Sequence, residues 1–193
     1  MKITTAPLGA PVAIDRDIVS QALWTGTFAA LTAIGAQIQI PHQPVPYTLQ
    51  TFFVLLGGAL LGKRNGAISQ IVYLGLGAIG VPVFSGWGCG FLRLVGPTGG
   101  YLLAFPVAAY AVGYIAHREK TLVWSLLSMT AGMFIVFTLG TIQLDFVYFH
   151  NLADAVKSGF LIFSWWDVLK LIGAALVYRQ LAGRVRPDST RKD

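Results

Sequence analysis

At 193 residues, 55% of them hydrophobic, only 11% charged and with a formal net charge of +6, the chain falls well below the roughly 25% charge usual in soluble domains. Its mean hydropathy of +0.66 suits lipid, and its length allows about six helices of some 20 residues, each crossing about 30 Å of hydrocarbon. The basic excess does not point to nucleic acid, because those residues sit at the ends of apolar runs where membrane orientation explains them, and a single cysteine, Cys89, excludes an internal disulfide or a cysteine-built metal site.

The N-terminal stretch is mixed polar, with Pro7, Pro11, Asp15, Arg16 and Asp17, and lacks the apolar core of a cleavable signal. Residues 1–18 are expected to be cytoplasmic, 19–182 to form the membrane domain, and 183–193 to be a basic cytoplasmic tail. Apolar runs and their breakers place spans at about 19–40, 47–62, 66–82, 98–116, 121–143 and 158–180. The predicted fold is an all-α integral membrane protein: six transmembrane helices in a single bundle, with cytoplasmic N- and C-termini. That orientation puts Lys2, Arg16, Lys63, Arg64, Arg118, Lys120, Arg179, Arg184, Arg186, Arg191 and Lys192 inside. Only Arg93 and Lys157 remain outside, while Lys170 lies within the last span.

Small residues Gly26, Ala29, Ala30 and Ala33 form adjoining stripes on the first helix. Such stripes serve packing within one protein or docking of another, and spacing alone leaves both open. The first external connection carries Pro41, Pro44 and Pro46, so it is stiff and extended. Next, Gly57 to Lys63 almost spells a phosphate-binding loop, but Arg64 stands where the Ser or Thr for magnesium belongs, and no strand precedes it. No zinc-protease or nucleophile-elbow signature occurs either, so enzyme chemistry has no candidate machinery. The second external connection, 84–97, has three glycines among its first seven residues together with aromatics and Arg93. A loop that folds back over something has this composition.

Gly96-Pro-Thr-Gly-Gly-Tyr101 marks the external start of the fourth helix. Taken plainly it is a tight helix start, with Thr98 as cap. A helix N-terminus with Arg93 just upstream would also suit a carboxylate. Aromatics near helix ends fit interfacial belts, but Trp166, beside Asp167, is a candidate wall for a ring system. Met129 and Met133 are expected in packing. His42, His117 and His150 are scattered over both faces, which argues against a shared metal site.

The sharpest feature is Asp167 and Lys170, three residues apart inside the last apolar run. Each charge costs about 2.5–3.5 kcal/mol at the centre of a membrane helix, so the pair needs a partner, a wet cavity or a polar ligand. Positions i and i+3 share a helix face, which lets a carboxylate and an ammonium point into one space.

Val45-Pro-Tyr-Thr-Leu-Gln50 with its continuation, the run Gly66 to Phe84, Gly96 to Tyr101 and Asp167-x-x-Lys170 together resemble the BioY family, the biotin-binding S components of energy-coupling factor (ECF) transporters. The likeness runs over about residues 20–182. It implies high-affinity biotin capture from outside and uptake across the cytoplasmic membrane, with a transmembrane coupling subunit and cytoplasmic ATPase subunits as partners and no cofactor. It implies a biotin site among Asp167, Lys170, Arg93, Gly96, Thr98, Gly99, Tyr101, Phe84, Ser85, Trp166 and Gln50. It also implies docking of the coupling subunit through Gly26, Ala29, Ala30 and Ala33, although Gly26 and Gln37 interrupt the alanine stripe. The competing readings are an S component for another vitamin, and a structural membrane protein in which Asp167 and Lys170 pair only with each other.

Overall fold

Breakers in the apolar pattern decide where each helix stops. A computed structural model describes residues 16–118, 121–161 and 165–182. Helix α1 spans Arg16–Gln37, and a two-stranded antiparallel ribbon follows, β1 (Gln39–Ile40) with β2 (Tyr47–Thr48), Gln39 opposite Thr48. The expected first and second spans ran through these residues as helix. The three prolines between them cannot donate to a helical ladder, so the chain pairs as strands instead. Then come α2 (Gln50–Ala78), α3 (Leu92–Val95), α4 (Gly99–Ala116), α5 (Leu122–Leu144), α6 (Leu152–Ala155) and α7 (Trp165–Leu181). The stretch between the fifth and sixth expected spans is largely helical, with π-type turns at Asp145–Phe149 and Val156–Phe160 flanking α6.

Among the described residues three helical stretches are long and apolar enough to cross a membrane: Ile18–Gln37, Gly99–Ala116 and Leu122–Phe149. Leu152–Phe160 and Trp165–Leu181, bent by 51°, add a fourth if taken together. The chain is therefore an all-α membrane protein. Within α2 the backbone breaks at Gly62, whose φ of 82° and ψ of 175° lie in a region essentially restricted to glycine. A Cβ at Gly66 would stand 2.8 Å from the Gly58 Cα, whereas residues eight apart on a straight helix are about 12 Å apart. The chain doubles back there, giving two arms, 50–61 and 63–78.

Lipid is as apolar as leucine, so helices in a membrane associate through close packing at small residues. A Cβ at Gly58 would stand 2.9 Å from the Ala109 Cα, which brings α2 and α4 nearly into backbone contact. Leu55, Tyr73, Val112, Met129, Met133 and Leu144 fill the fully buried core around that seam. On α1 the buried face is Thr25, Phe28, Ala29, Thr32 and Ala36, while Gly26 and Ala30 are exposed and Ala33 is half-buried. This corrects the expected docking stripe: Ala29 turns inward with Phe28 because neighbouring residues on a helix share a face with the i+3 and i+4 positions, here Thr32.

Contacts define the two ends of the bundle. At one, the Asn65 amide donates to Gln21 Oε1 at 3.1 Å, and the Tyr178 hydroxyl donates to the Ala116 carbonyl at 3.4 Å. At the other, the Tyr101 hydroxyl donates to the Gly159 carbonyl at 2.9 Å. Lys63, Arg64, Arg118 and Arg179 belong to the first end, and Arg93 to the second. Lys2, Lys120, Arg184, Arg186, Arg191 and Lys192 lie outside the described residues, as do 1–15 and 183–193 of the expected terminal segments.

Gly62→Ala is expected to lower stability by about 1–3 kcal/mol, because a side chain there is strained. Gly75→Ala, where a Cβ meets nothing within 4 Å, is expected to stabilise by about 0.4–1 kcal/mol. Thermal unfolding in detergent measures both.

Candidate functional site

The first two turns of α7 carry Asp167 and Lys170, whose side chains are almost fully buried. Lys170 Nζ lies 2.6 Å from Asp167 Oδ1 and donates to the Thr48 carbonyl at 3.0 Å. From Thr48 a line of buried hydrogen bonds continues. Its hydroxyl donates to Gln50 Oε1 at 2.8 Å, Gln50 Nε2 donates to the Tyr73 hydroxyl at 2.6 Å, and Tyr73 donates to the Val83 carbonyl at 3.2 Å. One polar network thus ties α7, the ribbon and both arms of α2, with every link satisfied.

Asp167 and Lys170 face a cavity of about 160 Å³. Pro44, Val45, Pro46 and Tyr47 line it from the ribbon and its connection, with Thr48, Gln50 and Thr51 beside them. Phe84, Ser85 and Arg93 close it from the 84–97 segment. Thr98, Tyr101, Leu102 and Phe105 of α4 and Val136 and Phe137 of α5 complete the walls. Aromatic edges are locked together there: Tyr73 meets Phe84 edge-on at 5.6 Å, and Tyr101 meets Phe137 edge-on at 6.3 Å. Apolar walls with a few aimed polar groups typify sites for small molecules.

The 84–97 segment is held by glutamines. Gln37 donates to the Phe84 carbonyl at 3.0 Å and accepts from the Trp87 N–H at 3.1 Å, while the Ser85 hydroxyl donates to Gln39. Gln143 of α5 donates to the Leu94 and Gly96 carbonyls at 3.0 and 2.9 Å. Phe84, although in a loop, is 2% exposed and sits where Gly77 leaves no room for a side chain.

Eight of the expected site residues therefore converge on one cavity: Asp167, Lys170, Gln50, Phe84, Ser85, Arg93, Thr98 and Tyr101. Gly96, Gly99 and Trp166 do not line it. The Gly96 carbonyl is engaged by Gln143, Gly99 packs where a Cβ would meet the Gln143 side chain, and Trp166 meets Trp165 edge-on at 5.8 Å. The sequence reading missed Tyr47, Thr48, Thr51, Leu102, Phe105, Val136 and Phe137. Leu102 and Phe105 were findable, being four and seven residues beyond Thr98 on the same face. The Thr51 hydroxyl oxygen is buried with no hydrogen-bond partner among the described residues.

Chemically, the deep wall offers a carboxylate acceptor and an ammonium donor side by side, and the exposed Arg93 offers a guanidinium with no carboxylate against it among the described residues. Such a set of groups can pair with a neutral donor–acceptor group at Asp167 and Lys170 and with an anionic group at Arg93. The Ser85 hydroxyl is bonded to Gln39 rather than to a base, so nothing activates it as a nucleophile. Among the described residues no group of three His, Cys, Asp or Glu could hold a metal ion.

A multi-helix membrane protein with a polar and aromatic cavity between its helices has the build of a membrane protein that binds a small solute. A family model settles which: the BioY family matches over residues 6–187, and the chain belongs to the BioY family. It is 44% identical over 161 residues to the biotin transporter BioY of Thermotoga maritima, covering 83% of this chain and 95% of that protein. It is 40% identical over 157 residues to the probable biotin transporter BioY of Pyrococcus horikoshii, covering 81% and 92%. Among solved structures, the crystal structure of the S-component for biotin from an ECF-type ABC transporter superimposes with a TM-score of 0.81 at 27% identity, covering 89% of this chain and 96% of that one.

Lys170→Met, which strands the Asp167 carboxylate, is expected to cost about 3–5 kcal/mol, and adding Asp167→Leu to recover much of the loss. Thermal unfolding of the ligand-free protein measures this, and simply additive losses would show that the two groups do not act as a pair.

Proposed function

We propose that the chain is the substrate-binding subunit of an ECF-type transporter and captures biotin from outside the cell for uptake across the cytoplasmic membrane. It is a transporter component and not an enzyme. The single observation that carries the reading is the buried Asp167–Lys170 pair on the wall of a cavity that Arg93 also lines. Biotin has two ureido N–H donors and a ureido carbonyl at one end and a valerate carboxylate at the other. Asp167 accepts a ureido N–H, and Lys170, which has three donors, gives one to the ureido carbonyl. Gln50, Phe84, Ser85, Thr98 and Tyr101 enclose the bicyclic ring and tail, and Arg93 holds the valerate at the mouth. Gly96 and Gly99 shape the start of α4 behind Thr98, and Trp166 supports the turn that carries Asp167.

The reading includes six membrane crossings, with the two arms of α2 as the second and third and the bent pair of α6 and α7 as the last. The reversal at Gly62 supports it. Arm 50–61 is only about 18 Å long at about 1.5 Å per residue, so the ribbon before it completes that crossing. Lys63, Arg64, Arg118 and Arg179 then face the cytoplasm and Arg93 and Lys157 the outside, in keeping with the positive-inside rule. The exposed side of α1, with Gly26 and Ala30 at its centre and Ala33 at its edge, is the docking face for a transmembrane coupling subunit, itself joined to cytoplasmic ATPases. Nucleic acid is not a partner.

Biotin is expected to raise the unfolding temperature of the purified protein where other vitamins do not, and Asp167→Asn to weaken biotin affinity by about tenfold or more, the worth of a charge-assisted hydrogen bond. Calorimetric titration checks this, and unchanged affinity would reduce the pair to a structural tie between α7 and the ribbon. Ala30→Trp is expected to leave biotin binding intact while abolishing copurification with the coupling subunit.

A further inference from the structure

Opposite the biotin cavity, the reversal at Gly62 and the last turn of α4 line a second, open cavity of about 530 Å³. It shares no lining residue with the first. Lys63, Arg64 and Arg118 all line it, and among the described residues no lining residue is acidic. None of the three has a carboxylate partner among the described residues. Two of them are gathered by one ring. The Arg118 guanidinium lies 4.8 Å from the Tyr114 ring centroid and donates to its hydroxyl at 2.6 Å, and the Lys63 ammonium lies 5.8 Å from the same centroid.

The backbone adds to this field. The second arm of α2 begins at Lys63, so its first-turn N–H groups lack helical acceptors and the positive end of its dipole falls at the cavity. Cations that merely anchor a helix spread along the membrane surface and point to water. Here Lys63, Arg64 and Arg118, although also exposed, all line one open pocket, where they repel one another unless an anion stands between them. A planar guanidinium fork, an ammonium and backbone N–H groups together match the oxygens of a phosphate better than a single carboxylate.

We infer that this cavity is a binding site for a phosphate-type anion: the headgroup phosphate of an acidic phospholipid, or free phosphate. Its place at the helix ends, where headgroups lie, suits the first source, and its openness to water suits the second.

The test uses the full chain in nanodiscs, following the unfolding midpoint. One arm titrates inorganic phosphate into phosphatidylcholine discs, and the other increases the phosphatidylglycerol content. The midpoint is expected to rise in at least one arm, and the response to shift to about tenfold higher ligand in Arg118→Gln and in Arg64→Gln. Arg179→Gln removes an exposed charge near the same end but outside the cavity, and is expected to respond as the native protein does. A rise with phosphate alone identifies the free anion, and a rise with phosphatidylglycerol alone identifies the lipid. Flat responses in both arms, the result if an acidic protein segment were the true occupant, would overturn the inference. So would equal losses in Arg179→Gln and Arg118→Gln, which would reveal bulk surface charge. Biotin affinity is expected to stay unchanged in Arg118→Gln, so failure here is distinguishable from failure of the biotin site.

Discussion

Two opposite charges buried 2.6 Å apart in an otherwise apolar bundle are the constraint around which the rest is arranged. Alone in a membrane helix each would cost about 2.5–3.5 kcal/mol. Together they neutralise each other, and the Thr48 carbonyl takes a second ammonium proton. Thr48 belongs to the ribbon rather than to a helix, so the pair joins the last helix to the segment between α1 and α2. The hydrogen bonds through Gln50 and Tyr73 to the Val83 carbonyl extend that tie to the start of the 84–97 loop. On the proposed function, stability and recognition draw on the same atoms, and a ligand entering the cavity competes for, or completes, contacts that already hold the outer end together.

The roof over this cavity is fastened by side-chain amides. Gln37 satisfies a backbone carbonyl and a backbone N–H of the loop at once, and Gln143 takes two carbonyls. Each such bond is worth about 0.5–1.5 kcal/mol net, far less than unpacking a helix. Phe84 adds an apolar plug seated on Gly77 and against Tyr73. Lifting this loop would thus break a few amide bonds and unseat one ring, and would leave the seam between α2 and α4 untouched. Loop and core are not separate here, because a loop phenylalanine is among the most buried side chains of the protein.

Asp167 and Lys170 were legible because charge inside an apolar run has few explanations. Arg93, Thr98 and Tyr101 were legible because a glycine-proline turn before a helix fixes where their side chains begin. Val136 and Phe137 were not, since an apolar residue facing a cavity and one facing lipid look alike when both sides of a helix are hydrophobic. Tyr47 and Thr48 were hidden by reading the residues after Pro46 as helix, when strand pairing with Gln39 and Ile40 had the stronger claim. Gly62 was read as the end of one span before a short basic loop. Its backbone instead turns within a single residue, so the next arm starts at Lys63. Ala29 shows the limit of small-residue stripes: spacing places residues on a helix, but only packing against Phe28 and α2 decides which stripe faces out.

The most direct measurement is an experimental structure of the protein with biotin bound. Grip by the buried pair requires the ureido ring to lie against Asp167 and Lys170, with a ring N–H at hydrogen-bond distance from the carboxylate and the valerate directed toward Arg93. A vitamin lodged elsewhere, with both side chains still turned only to each other and to Thr48, would contradict it.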